Sequence, residues 1–379
     1  MSEKSKVYFA DFRCPSFREN LLQKLARLMM TAGFGDIDMD GKYVAIKMHL
    51  GEPGNIAFLR PHWAKVVADL VRDQGGKPYL TDCNTLYIGG RTNALDHIES
   101  AYVNGFNPYS TGCHVLIGDG LKGNDEVFVP VAGGEYIKEA KIGRAIMDAD
   151  VFLSLTHFKG HEQTGMGGTM KNIGMGCGSR AGKMEMHSAG KPFIMGKHCI
   201  ACGSCVKICA HDAPTKIENG KHAGKYAIDV DKCVGCGRCL AICPMGAIFS
   251  RDDEALDILN CKIAEYTKAV VDGRPCFHIS IVKDISPNCD CHGENDVPIA
   301  SDVGKFASFD PVALDQACAD AVIAQSPLPG SVFFDRDTAC DCSQRDLLVA
   351  NQPDTNWRTC LEHAEKLGLG TRSYELIKI

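Results

Sequence analysis

No stretch of this 379-residue chain approaches the ~18 consecutive apolar residues that a membrane-spanning helix needs. There is no basic block either: 41 lysines and arginines stand against 47 acidic residues, for a net charge of −6. The electrostatic footprint that nucleic acid or an anionic membrane would require is therefore missing, and neither is expected as a partner. The opening "MSEKSKVYFADF" passes from a charged stretch straight into a strand pattern without a signal-like apolar segment, which reads as a cytoplasmic protein. No G-x-G-x-x-G fingerprint opens a helix after the first strands. A flavin would be useful for turning single electrons into pairs, but it is not predicted.

What the chain has in excess is cysteine, twenty of them. In a sequence without a secretion signal such a load points to metal or redox chemistry before disulfides, in a reducing and anaerobic setting. An apolar fraction of 45% with 23% charged residues is that of a globular protein long enough for two or three domains.

The first half alternates strands with helices. "KVYFADF" (7–13) reads as a strand, and Leu21, Leu22, Leu25, Leu28 and Met29 share one helical face after it. "KYVAIKMHL" (42–50) is a strand buried on both sides. Pro61 opens a helix that Gly75-Gly76 ends, and "PYLTDC" (78–83) follows as a strand. A helix over 91–104, a strand pair in 115–139, a short helix over 142–149 and the strand "VFLSLTHF" (151–158) complete this half. After a cysteine-rich interval the pattern resumes with a helix over 252–273, strands over 276–286 and 298–308, a helix from Pro311, a helix over 356–368 and the closing strand "YELIKI". The expected fold class is α/β, a mostly parallel sheet with helices on both faces. One domain made of 1–189 and 251–379 is interrupted by a small ferredoxin-like α+β insertion over 190–250.

Within that insertion Cys199, Cys202, Cys205 and Cys209 have the C-x2-C-x2-C-x3-C spacing, and Cys233, Cys236, Cys239 and Cys243 repeat it. In the bacterial ferredoxin pattern three close thiolates hold one cubane and the fourth cysteine crosses to the other. The expected sets are Cys199, Cys202, Cys205 and Cys243 for one [4Fe–4S] cluster, and Cys233, Cys236, Cys239 and Cys209 for a second. Gly203, Gly235 and Gly237 let amides approach the sulfurs. Zinc would use paired half-sites and has no need of eight thiolates in two identical runs. Ala210 stands where the first run would carry proline, which loosens a turn and removes no ligand.

Parallel sheets place ligands beyond the carboxyl ends of their strands, and the polar residues collect there. "VAIKM" ends in His49 and Glu52, "PYLT" in Asp82 with Arg91 beyond, "VFLSLT" in His157, Lys159 and His161, and "FHISIVKDIS" in Cys289, Asp290, Cys291 and His292. Taken alone, His49 also reads as a satisfied strand-end histidine and Asp82 as a turn cap. His157 and His161 are spaced as two metal ligands on a helix, but Phe158-Lys159-Gly160 between them reads as a loop. "KGHEQTGMGGTMKNIGMGCGSRAGK", which carries Lys159 and Lys171, suits a backbone that closes on an anionic ligand, against the alternative of a flexible crossing loop. Met166, Met170 and Met175 belong to the core or the ligand cavity. Cys289 and Cys291 leave open an additional metal or a redox pair, and Cys340 and Cys342 have the same spacing in a more polar context.

With "VAIKMHLGEPGN", "LTDCNTLYIGGRTNA", the glycine-rich stretch, the two cysteine runs, "PNCDCHG" and "SDVGKFASFDPVALDQA" in hand, the chain resembles the domain-of-unknown-function 362 family, in the branch with an inserted two-cluster ferredoxin module. The resemblance implies an iron–sulfur protein with clusters at the eight cysteines and supplies no substrate; Cys340 and Cys342 lie outside it. The leading expectation is an oxidoreductase that relays electrons to a small anionic substrate or cofactor. Lys159, Lys171 and Arg91 would hold the anion, and His49, His157 or His161 would exchange protons. Glu52 and Asp82 would orient the histidines or bind metal. Two alternatives stay open: an electron carrier that docks to a separate redox enzyme, and a non-redox metal enzyme braced by its clusters.

Overall fold

The computed structural model describes residues 4–87, 89–187, 191–233, 235, 238–250, 255–335 and 346–379. Cys236 and Gly237 of the second cysteine run, the Cys340/Cys342 pair and residue 190, the expected start of the insertion, lie outside the described residues.

Eight strands form one sheet. In chain order they are β1 (Ser5–Asp11), β2 (Tyr43–Lys47), β3 (Lys77–Asp82), β4 (His114–Ile117), β5 (Val151–His157), β6 (Cys276–Val282), β7 (Gly304–Ser308) and β8 (Tyr374–Lys378). Across the sheet the order is β8-β1-β7-β6-β5-β2-β3-β4. Every pair is parallel except the two made by β7, which runs antiparallel to β1 and to β6. The α/β reading stands, with β7 shorter than the run of 298–308 suggested.

Side-chain alternation explains why both faces are covered. On β2, Val44 and Ile46 join Leu80, Leu153 and Ile279 beneath α1 (Leu21–Thr31) and α2 (Pro61–Asp73). Asn20 closes the start of α1 with a capping box, and Leu25, Leu28 and Met29 form its buried stripe. Ala45 and Phe152 point to the opposite face, where α4 (Thr169–Cys177), α6 (Leu256–Val271), α7 (Pro311–Ile323) and α8 (Trp357–Lys366) pack. The intervening helices are α3 (Ala94–Val103) and α5 (Arg180–His187). No helix among the described residues is long and apolar enough to cross a membrane.

The glycine-rich stretch is not the flexible crossing loop of its alternative reading. Lys159–His161 and Gly165–Gly167 pair as a hairpin, and α4 and α5 follow. Several of its glycines serve packing: a Cβ on Gly174 would lie 2.3 Å from the Ile263 carbonyl of α6. Backbone-close helix contact outweighs the poor helix propensity of glycine.

Residues 191–250 repeat one small plan. Pro192–Ile194 pairs with Ile248–Ser250, and Pro214–Lys216 pairs with Tyr226–Ile228, both antiparallel. Helices Ser204–Ile208 and Arg238–Ile242 begin within the two cysteine runs. Ala201 and Gly235, matching positions of the two loops, both take left-handed backbone, at φ 58° and 74°. An alanine there is unfavourable by about 1 kcal/mol, so the loop shape is imposed by more than the residue. Cys205, Leu240 and Ile248 pack with Leu86 and Met184 in a separate apolar cluster, with Cys239 and Cys243 at its edge.

Candidate functional site

The carboxyl ends of β2, β3 and β5 and the loop after β6 enclose a cavity of about 450 Å³. His49, Asp82, Arg91, His157, Lys159, His161, Lys171, Cys289 and Cys291 all line it. Glu52 is absent from its lining and stands behind Arg91. The convergence follows from topology, because parallel neighbours end at one edge. Lys47, Glu162, Asn172, Lys183 and His187 line it too, and sequence reasoning did not assign them. A lysine inside the apolar run "VAIKM" was the available signal for Lys47.

The first wall is a buried ionic network. Lys47 Nζ lies 3.1 Å from Asp82 Oδ1 and donates to Asn172 Oδ1 at 2.8 Å. Arg91 Nε donates to Glu52 Oε2 at 2.6 Å, and its Nη1 is 3.8 Å from Asp82 Oδ2. Burial opposes the charge of Asp82, but Lys47 and its other neighbours outweigh this and hold the carboxyl well below the usual range. Arg91 Nη2 has no hydrogen-bond partner among the described residues, in a side chain only 2% exposed. Gly176 leaves room for this network, since a Cβ there would meet Lys47 Nζ at 2.4 Å.

His49 Nδ1 accepts from the Gly51 amide at 3.0 Å. The ring proton is therefore on Nε2, which has no partner among the described residues. Burial, then the Arg91 charge, push its pKa well below 6.5. The expected proton exchanger is instead a neutral donor, the form in which an imidazole polarises an oxygen without transferring its proton.

His157 and Lys159 also depart from their expected roles. His157 Nδ1 lies 2.8 Å from Asp290 Oδ2, and Nε2 lies 2.7 Å from the Lys283 carbonyl. Both nitrogens face acceptors, so the ring braces the loop. Lys159 Nζ donates to Asp290 Oδ2 at 2.9 Å, which engages its charge inside the protein. Glu52 pairs with Arg91 and Asp82 with Lys47, so neither carboxylate orients a catalytic histidine by a hydrogen bond. His157 and His161 sit on separate elements, the end of β5 and the hairpin, and do not share a helix face.

The second wall carries sulfur. Lys171 Nζ lies 3.7 Å from Cys289 Sγ. A hydrogen bond from Cys291 leads, against burial and with help from Lys171 and His161, in lowering the Cys289 thiol well below 9.0; the same bond holds Cys291 up as the thiol partner. His161 Nδ1 accepts from the Gln163 and Thr164 amides at 3.1 and 3.2 Å, which leaves its Nε2 toward the thiols. Glu162 is lowered to about 2, burial being outweighed by His161 and His292. Donor atoms of Glu162, Cys291 and His292 all lie within 4.8 Å of one another.

Elsewhere, Cys199, Cys202, Cys205 and Cys243 line one small cavity of the 191–250 segment. The Ala201 amide points at Cys199 Sγ at 3.4 Å and the Ala247 amide at Cys243 Sγ at 3.2 Å. Cys209, Cys233 and Cys239 are half-buried. Met166 and Met170 are core residues, whereas Met175 lines the large cavity.

The pattern of the domain of unknown function DUF362 matches residues 44–320. A thylakoid-associated protein of Synechocystis sp. is 28% identical over 168 residues, 42% of this chain and 46% of that protein. The chain thus aligns with less than half the length of this curated relative. Among solved structures, the lactate racemase apoprotein from Thermoanaerobacterium thermosaccharolyticum is 12% identical, with a TM-score of 0.35 over 74% of this chain and 51% of that one. A protein from Thermotoga maritima is 13% identical, with a TM-score of 0.40 over 81% and 59% of the two chains.

Proposed function

The chain belongs to the DUF362 family, a domain of unknown function, and within it we propose an iron–sulfur oxidoreductase that delivers electrons to a small anionic substrate or cofactor in the large cavity. Residues 190–250 act as a ferredoxin-like insertion in an α/β domain formed by 1–189 and 251–379. Cys199, Cys202, Cys205 and Cys243 hold one [4Fe–4S] cluster, and Cys233, Cys236, Cys239 and Cys209 hold the other. Bound clusters would supply single electrons, with a redox protein as their source.

The donor set fits this group. Four thiols face one cavity with amides aimed at two of them, the environment that tunes cluster potential. A single zinc with Zn–S bonds of about 2.3 Å would draw its sulfurs to about 3.8 Å from one another. No three of these four sulfurs lie within 4.8 Å of one another.

The observation that carries the reading is Leu86. It lines the large cavity and belongs to the same apolar cluster as Cys205, so that cluster runs from a cluster-run thiol to the ligand space. In that space Arg91 Nη2, His49 Nε2–H and the Lys183 ammonium bind and orient ligand oxygens. Lys183 has no carboxylate within 4.0 Å among the described residues and donates to the Gly178 carbonyl. A carrier that only docked to another enzyme would have no use for such a cavity.

Anaerobically purified protein should contain about eight iron and eight acid-labile sulfides per chain. Its two dithionite-reduced clusters should be reoxidised by some members of a panel of small organic acids that carry a reducible C=O or C=C bond, which takes up the two electrons and two protons, more slowly in Arg91→Met. Absence of sulfide, or reoxidation insensitive to every acid and to Arg91→Met, overturns the reading.

A further inference from the structure

The sulfur wall has a composition that electron delivery does not explain. Cys291, His292 and Glu162 bring sulfur, nitrogen and oxygen donors within 4.8 Å of one another, and Cys289 lines the same wall. We propose that these four residues form a mononuclear transition-metal centre open to the cavity, filled by a divalent ion of borderline softness such as zinc.

Several contacts hold the donors on a fixed frame. The Cys289 amide donates to Glu162 Oε2 at 3.3 Å, and His292 Nε2 stands 3.2 Å from Glu162 Oε1. Glu162 therefore ties the hairpin to the loop after β6. Between the two cysteines, Asp290 is fully buried and anchored to His157 and Lys159. Both flanking cysteines are left to the cavity side.

The chemistry selects the ion. Metal–ligand bonds of about 2.0–2.3 Å place tetrahedral donors about 3.3–3.8 Å apart, so Glu162, Cys291 and His292 need only a small approach to close on an ion, and Cys289, hydrogen-bonded to Cys291, is the neighbouring fourth thiol. Thiolate ligands disfavour magnesium and calcium, while a mixed sulfur, nitrogen and oxygen set suits zinc or a neighbouring first-row ion. A ligand in the cavity would complete the coordination, its anionic groups held by Arg91 and His49 on the facing wall. The centre stands apart from the eight cluster cysteines and does not depend on electron delivery.

The test uses the full chain with its iron intact, dialysed anaerobically against Zn²⁺ and then against metal-free buffer. The wild type should retain about one zinc per chain, with an X-ray absorption spectrum showing a mixed sulfur and nitrogen/oxygen shell. Glu162→Gln and His292→Gln, at positions that are not fully buried, should weaken zinc binding at least about tenfold, the loss that even an outer-shell change produces. Cys291→Ser should do the same, and Cys14→Ser, at an exposed site, should change nothing. Zinc retention equal in the wild type and in both glutamine variants overturns the proposal, as does an all-sulfur shell or no retained zinc. Zinc lost with iron and sulfide intact would sink this centre alone; sulfide absent with zinc retained would sink the cluster reading alone.

Discussion

Lys159 Nζ donates to Asp290 Oδ2 at 2.9 Å although 131 residues separate the two, and both are buried. With His157 on the same carboxylate, this pair fastens the cysteine-bearing loop to the end of β5. Removing one member strands the other's charge in a poorly solvated place, which typically costs about 3–5 kcal/mol. Lys159→Met and Asp290→Asn should each destabilise by that amount in anaerobic denaturant unfolding. The double variant should lose clearly less than the sum; simple additivity would mean the two do not act as a pair.

His49 offers one proton, on Nε2, at the cavity. His49→Phe should weaken binding of small carboxylates roughly tenfold, the worth of one hydrogen bond to a charged group, about 1.5 kcal/mol. Because the folded pKa lies well below 6.5, the ring stays neutral from pH 6 to 8, and His49 should add no step to affinity over that range. Isothermal titration at several pH values would expose a protonation step as a rise in affinity on acidification, lost in His49→Phe.

Cys202 is exposed and lines the small thiol cavity. Its replacement by serine should remove one cluster and spare the other, which lowers iron and sulfide to about half. Retention of the full content would place the clusters on other ligands.

Gly176 marks where the backbone of α4 passes the Lys47 ammonium. In Gly176→Ala the new Cβ would sit 2.5 Å from Lys47 Cε, and the ammonium must leave Asp82. Overpacking of this kind costs about 1–3 kcal/mol. Lys47→Met in the same background should reduce the extra loss, read from thermal unfolding under anaerobic conditions.

His363 is held up to about 9 by its hydrogen bonds to Cys261 and Glu265. A folded pKa above the unfolded value of about 6.5 means that the contribution is complete below pH 6.5 and fades as pH rises through 9. Stability should therefore fall across this window by on the order of 1–3 kcal/mol. His363→Gln should flatten the profile; an unchanged slope would assign the titration elsewhere.

Much of this molecule was legible in the sequence. Near-continuous apolar strands alternating with amphipathic helices can be buried only in a parallel sheet with two covered faces, and β2, β3, β5 and β6 follow that rule. Parallel neighbours end at one edge, which is why His49, Asp82, His157 and Cys289 could be expected to meet, and in the structure they line one cavity. The helices within 159–183 were not legible from its glycines, one of which, Gly174, leaves room for close contact between helices α4 and α6.

Tertiary structure alone decided what each side chain does at that edge. A histidine's role depends on what its second nitrogen meets, and the Gly51 amide makes His49 a neutral donor while the Lys283 carbonyl engages His157. Charges were assigned in the same way, Lys159 to Asp290 and Arg91 to Glu52, across separations that local pattern does not encode. Residue type and spacing determine which chemistry is present along a chain; long-range packing determines which groups are neutralised by neighbours and which are left for a ligand.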